Sequence, residues 1–123
     1  MAKRIRSERE IEANRIRAKA WRENNKARCV EQALKANLRQ FGMTIECYEK
    51  MVAEQGNVCA ICKHPERTKN RTGEIKRLSV DHCWRSGKVR GLLCIRCNTS
   101  LGNFNDDIEL LTTAIDYLAA NHE

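Results

Sequence analysis

Aromatic side chains are scarce in this chain of 123 residues, which has two Trp, two Tyr and two Phe beside a single proline. So little bulky apolar material leaves a small core. Chains of this size commonly recruit a metal, disulfides or a partner subunit to become stable. Long hydrophobic runs are missing as well. No window approaches the ~18 apolar residues of a membrane helix, and the charged N-terminus has no apolar stretch of the kind a secretory signal carries. The expectation is a cytoplasmic chain with reduced thiols and no membrane partner, forming one domain or one small domain with an extension.

What the chain has instead is charge and cysteine. Residues 1–40 hold 12 Lys/Arg against 5 Asp/Glu, and residues 41–123 hold 11 against 11, so the whole net charge of +7 sits in the first third. A basic segment beside a neutral domain is the footprint expected of a nucleic-acid binder, because each phosphate neutralised releases counterions. A solvated basic helix is the plainer alternative. Residues 4–39 contain no Pro or Gly and are rich in Arg, Ala, Glu and Lys, with sparse apolar positions. That composition predicts one or two polar helices, ended by Phe41-Gly42.

Thr44 predicts the N-cap of a helix over Ile45–Gln55, with Ile45, Tyr48, Met51 and Val52 on its core face and Gly56 as its stop. Residues 63–76 are polar and read as a loop. Leu78–His82 and Val89–Leu93 read as two strands of a hairpin turned by "RSGK". A short helix is expected to begin at Asn98 and close at Gly102. A last helix is expected from the Asp106/Glu109 pair, with Ile108, Leu111, Ile115 and Leu118 on its apolar face. That face can serve core packing or a homodimer. The predicted fold class is small α+β.

Seven cysteines are present, and four of them, Cys59, Cys62, Cys94 and Cys97, form two C-x-x-C pairs. An odd count with this spacing favours a metal over disulfides, and four thiolates suit a closed tetrahedral zinc shell with no open position for chemistry. Zinc is therefore expected to be structural. A redox C-x-x-C is the rival reading. His64 is read as a loop histidine, and Cys29, Cys47 and Cys83 receive no role.

Between the pairs lies "LSVDHCWRSGKVRGLLCIRCN", with an Asp-His pair late in the first strand and an Asn abutting the second C-x-x-C. Phosphodiester hydrolysis needs an activated water and charge neutralisation at the phosphorus. Asp81 and the Asn98 carbonyl offer hard oxygens for one Mg²⁺ or Mn²⁺, and His82 can take the proton from water. Adjacent strand residues point to opposite faces, so Asp81 and His82 share a site only if the strand ends or bulges there. Arg85, Lys88, Arg90 and Arg96 surround the hairpin and are candidates to grip phosphates, Arg90 foremost.

A strand, a turn, a strand and a helix carrying these residues resemble a ββα-metal finger of the His-Me or HNH kind. With its flanks, "YEKMVAEQGNVCAIC", "LSVDH" and "GKVRGLLCIRCNTSLG", the chain resembles the recombination endonuclease VII family of phage and prophage nucleases over roughly residues 41–104. The resemblance implies Asp81 and Asn98 on a catalytic metal, His82 as general base, branched or Holliday-junction-like DNA as partner, and a phage- or prophage-encoded protein in a bacterial host. One departure stands out. Family members often show D-H-x-H, and here Trp84 replaces the second histidine. The expected domains are a basic extension over 1–40, a zinc-stabilised nuclease domain over 41–104, and a C-terminal helix over 105–123. The competing readings are a general nicking or homing-type endonuclease and a catalytically silent zinc module that binds DNA.

Overall fold

A computed structural model describes residues 4–122; residues 1–3 of the basic extension and Glu123 lie outside the described residues. Among the described residues the chain forms five helices and one two-stranded sheet, a small α+β architecture. The basic segment folds as two helices, α1 (Glu8–Asn24) and α2 (Lys26–Arg39), joined at Asn25. A capping box starts α1. The Glu10 amide donates to the Ser7 hydroxyl at 3.3 Å, and the Ser7 amide donates to the Glu10 carboxylate at 2.9 Å, satisfying amides that have no partner within the helix. No residue of α1 is buried, and α2 buries only Leu38. These helices therefore owe little to packing. An ion pair, Lys26 Nζ to Glu74 at 2.7 Å, ties the start of α2 to the loop before the hairpin.

Helix α3 (Ile45–Glu54) is capped as expected, with the Cys47 amide donating to the Thr44 hydroxyl at 3.2 Å. Ile45, Tyr48, Met51 and Val52 all face the core. Tyr48 is buried and its hydroxyl donates to the Leu78 carbonyl at 2.7 Å. Gly56, at φ +66°, turns the chain out of the helix, a conformation that only glycine adopts without cost. The core is small: Leu38, Tyr48, Leu78, Val80, Leu92 and Leu93, joined by Cys59 and Cys94.

Strands β1 (Ser79–His82) and β2 (Val89–Leu93) pair antiparallel, with Ser79 opposite Leu93, Val80 opposite Leu92 and Asp81 opposite Gly91. His82 then pairs with Val89, so Arg90 is the extra residue of a β-bulge. The outer edge of β2 is closed by a side chain. Gln55 accepts from the Leu92 amide at 2.9 Å and donates to the Leu92 carbonyl at 2.9 Å, occupying the place of a third strand.

Predicted boundaries shift in the last two helices. The helix expected to begin at Asn98 begins at Ile95, because the Cys94 thiol already caps it by accepting from the Cys97 amide at 3.4 Å. This helix, α4 (Ile95–Asn103), also runs through Gly102. The last helix, α5 (Ile108–Asn121), is capped by Asp107, not by Asp106. The Asp107 carboxylate accepts from the Leu110 amide at 3.1 Å, whereas Asp106 sits at φ +54° and turns toward the hairpin. No residue of α5 is buried, and Ile108, Ile115, Tyr117 and Leu118 stand exposed. The segment 63–76 is mostly irregular, with one bridge between Lys69 and Ile75.

Candidate active site and metal centre

The Cys59–Cys62 turn packs against the end of β2, where the Ala60 amide donates to the Leu92 carbonyl at 3.1 Å. That contact delivers the first cysteine pair to the second, which opens α4. The four sulfurs of Cys59, Cys62, Cys94 and Cys97 all lie within 4.8 Å of one another, and the Cys62 and Cys94 sulfurs are 3.9 Å apart. A tetrahedral zinc with Zn–S near 2.3 Å needs sulfurs about 3.8 Å apart, so the cluster fits the ion. Burial pushes the Cys59 thiol up, but hydrogen bonds from Cys94, Cys62 and Ile61 outweigh it and bring it down to about 6. Partial burial and hydrogen bonds to the neighbouring thiols push Cys97 up to about 12. A divalent cation among the four sulfurs would favour their thiolate forms.

Beside the thiols, Glu66 is 7% exposed. Its carboxylate accepts from the Arg67 and Thr68 amides at 2.9 Å each and from the Ile95 amide at 2.7 Å. Burial works against the ionised form, yet these amides hold its carboxyl below the ordinary value of 4.5. Glu66 thus fastens the loop to the N-terminus of α4, where a negative charge is also favoured by the helix dipole.

On the other side of α4 a cleft of about 350 Å³ is lined by Phe41, Val80, Asp81, His82, Trp84, Asn98, Gly102, Asn105 and Asp106. Asp81 and His82 are the last two residues of β1 and both line this cleft, and the register shift that leaves Arg90 over on β2 falls between them. Asn98 and Gly102, four residues apart on α4, form the facing wall. Asp81 is 8% exposed and its charge is met at once. Arg90 donates from Nε to Asp81 Oδ2 at 2.7 Å and from Nη2 to Oδ1 at 2.9 Å. The same Nη2 reaches Asp106 Oδ2 at 3.0 Å. The hydrogen bonds it donates to the two carboxylates, Asp81 first, hold the guanidinium firmly charged. The His82 ring lies 4.9 Å from the Phe41 ring, tilted by 53°.

The basic candidates divide. Arg90 borders the cleft with its guanidinium committed to the two aspartates. Arg85 and Lys88 are exposed on the hairpin turn. Arg96 is turned away, lining the cavity beside the cysteines with His64 and Ser100. Trp84 is 72% exposed at the rim of the cleft.

Four residues have structural roles that their sequence neighbourhoods do not announce. Phe41 reads as a helix terminator and Gln55 as a helix end, no local pattern marks Glu66 in its polar loop, and Asp106 reads as a cap. Among them only Phe41 carries a signal, as one of six aromatics in the chain.

A family profile described as recombination endonuclease VII matches residues 34–120. Among curated proteins, the Gene 59 protein of Mycobacterium phage D29 is 46% identical over 82 residues, which cover 66% of this chain and 46% of that protein. The Gene 59 protein of Mycobacterium phage L5 is 43% identical over 82 residues, with the same coverage. The chain spans a little under half the length of these relatives. No solved structure matches it. The family match runs from α2 across both cysteine pairs, the hairpin and α4 into α5, and the chain belongs to the recombination endonuclease VII family.

Proposed function

We propose that this protein is a metal-dependent DNA endonuclease that nicks branched, Holliday-junction-like duplexes, using β1, β2 and α4 as a ββα-metal finger of the His-Me kind. The observation that carries this reading is the meeting of Asp81, His82 and Asn98 in one cleft, apart from a four-thiol cluster that needs none of them. Cys59, Cys62, Cys94 and Cys97 would hold a structural zinc, tying the Cys59–Cys62 turn before the hairpin to the start of α4 after it. Asp81 and Asn98 would hold Mg²⁺ or Mn²⁺. That ion supplies positive charge against the phosphate oxygens as charge builds on them.

His82 accepts the proton of the attacking water, with its ring held by Phe41. Asp81, deep in the cleft, would turn a carboxylate oxygen to the cation, which stands between it and the phosphate. Arg85 and Lys88 on the turn contact backbone phosphates near the cleft, Arg96 at the start of α4 contacts them outside it, and Trp84 can stack on an unpaired base at a branch. The basic segment 1–40 extends the DNA surface of the nuclease domain, 41–104. The exposed apolar face of α5, within 105–123, supports a homodimer that cuts two strands of a junction. The phage relatives support a phage-encoded enzyme acting in the cytoplasm of a bacterial host.

The test is cleavage of a four-way junction, supercoiled plasmid and linear duplex, each with and without Mg²⁺ or Mn²⁺. Junction cleavage that needs the cation and exceeds cleavage of linear duplex supports the proposal. Nicking of plasmid and junction alike assigns a general nicking enzyme. Binding without cleavage in either metal assigns a silent zinc module.

A further inference from the structure

We propose that Arg90 is the residue that sets the cleft's affinity for its catalytic cation, because its guanidinium occupies the anionic site that the cation must share. This rests on the reading of Asp81 as a metal ligand. Arg90 uses two nitrogens on the two oxygens of Asp81, at 2.7 and 2.9 Å, so each oxygen of the cleft's buried carboxylate already accepts a charged hydrogen bond. A divalent ion on either oxygen would stand within a few ångströms of the guanidinium, where like charges repel strongly in a partly buried site. Cation and guanidinium therefore compete.

Arg90 is built to yield. It is the extra residue of the bulge, with no partner opposite it on β1. Its side chain is 37% exposed, against 10% for that of Asp81. It also has a second carboxylate to fall back on, since Nη2 already reaches Asp106 at 3.0 Å. Asp106 is positioned for this by the turn between α4 and α5, where Asn105 and Asp106 both adopt φ +54°. In the exchanged state the cation takes Asp81, and Arg90 keeps its charge balanced on Asp106. The freed edge of the guanidinium then faces the cleft and can donate to a phosphate oxygen. Arg90 thus contacts DNA after the cation has entered, and Asp106 is the holding site, not a metal ligand.

The experiment is a Mn²⁺ titration of the zinc-loaded full chain at pH 8 without DNA, followed by electron paramagnetic resonance of the free ion. Arg90→Gln is expected to bind Mn²⁺ at least about tenfold more tightly than wild type, and Arg90→Lys, which keeps the charge but loses the two-pronged grip, several-fold more tightly. Asp106→Asn should weaken Mn²⁺ binding when Arg90 is present and leave it unchanged in the Arg90→Gln background. Equal or weaker binding by folded Arg90→Gln overturns the competition. Should the Gln variant not fold, equal or weaker binding by Arg90→Lys overturns it instead. Weakening by Asp106→Asn in both backgrounds makes Asp106 a ligand and overturns its role as a holding site. Wild-type Mn²⁺ binding that survives Asp81→Asn, or no binding at all, removes the metal site and the proposal with it.

Discussion

Replacing Cys97 with Ser removes one of four sulfurs that lie within 4.8 Å of one another. Apart from Cys59 and Cys94, the buried core among the described residues is six side chains, each contributing roughly 1.5–3 kcal/mol by burial. Such a core is thin for a chain of 123 residues. A structural zinc contributes about 10–16 kcal/mol of apparent folding free energy, as much as the ~5–15 kcal/mol net stability of a whole domain. Losing a quarter of that shell should cost roughly 3 kcal/mol, a fall of at least ~10 °C in melting temperature. Zinc content and thermal melting of Cys97→Ser measure this, with Cys29→Ser and Cys47→Ser as controls that keep both. The Cys59 thiol adds a pH signature in the metal-free protein. Lowered to about 6, it contributes stability that is complete above its ordinary value of 9 and lost as pH falls through about 6. The metal-free chain should therefore melt lower at pH 5 than at pH 8. A Cys97→Ser protein with one zinc per chain and an unchanged melting temperature would refute the ligand assignment.

Glu66→Ala leaves the Arg67, Thr68 and Ile95 amides without their acceptor, and should cost about 3 kcal/mol in denaturant unfolding. Removing residues 1–24, with 8 Lys/Arg and 4 Asp/Glu, spares the buried Leu38 on α2. DNA affinity should drop and the slope of log K against log salt should flatten. Cys83, whose thiol is brought down to about 7 by hydrogen bonds from the Ser86 side chain and nearby amides, should react with iodoacetamide at pH 7.5 faster than Cys47, and Ser86→Ala should slow it.

The cysteine pairs, the hairpin and the α3 face are legible because each rests on a local rule: ligand spacing, alternation, helical periodicity. The sequence requires that the strand end or bulge at the Asp-His pair without choosing between them, and nothing in "VRGLL" says that Arg90 is the residue left over. Helix starts shift where an unusual group caps them, a thiol at Cys94 and Asp107 in place of its neighbour. Long-range contacts are least legible. The Gln55 cover on β2, the Glu66 clamp on α4, the Phe41 ring against His82 and the Arg90–Asp106 pair each join residues from separate elements. Composition leaves no trace of such pairs, and only the folded chain brings them together.

Nuclease function is tested most directly by junction cleavage with His82→Ala beside wild type, in Mg²⁺ and in Mn²⁺, on proteins matched for zinc content and melting temperature. Wild type should nick the junction in the presence of the cation. His82→Ala should bind the same DNA with unchanged affinity and lose about 10²–10⁴ in rate, with no rescue by either ion at high concentration. A His82→Ala protein that cuts at the wild-type rate would contradict the role of His82 and move the general base elsewhere.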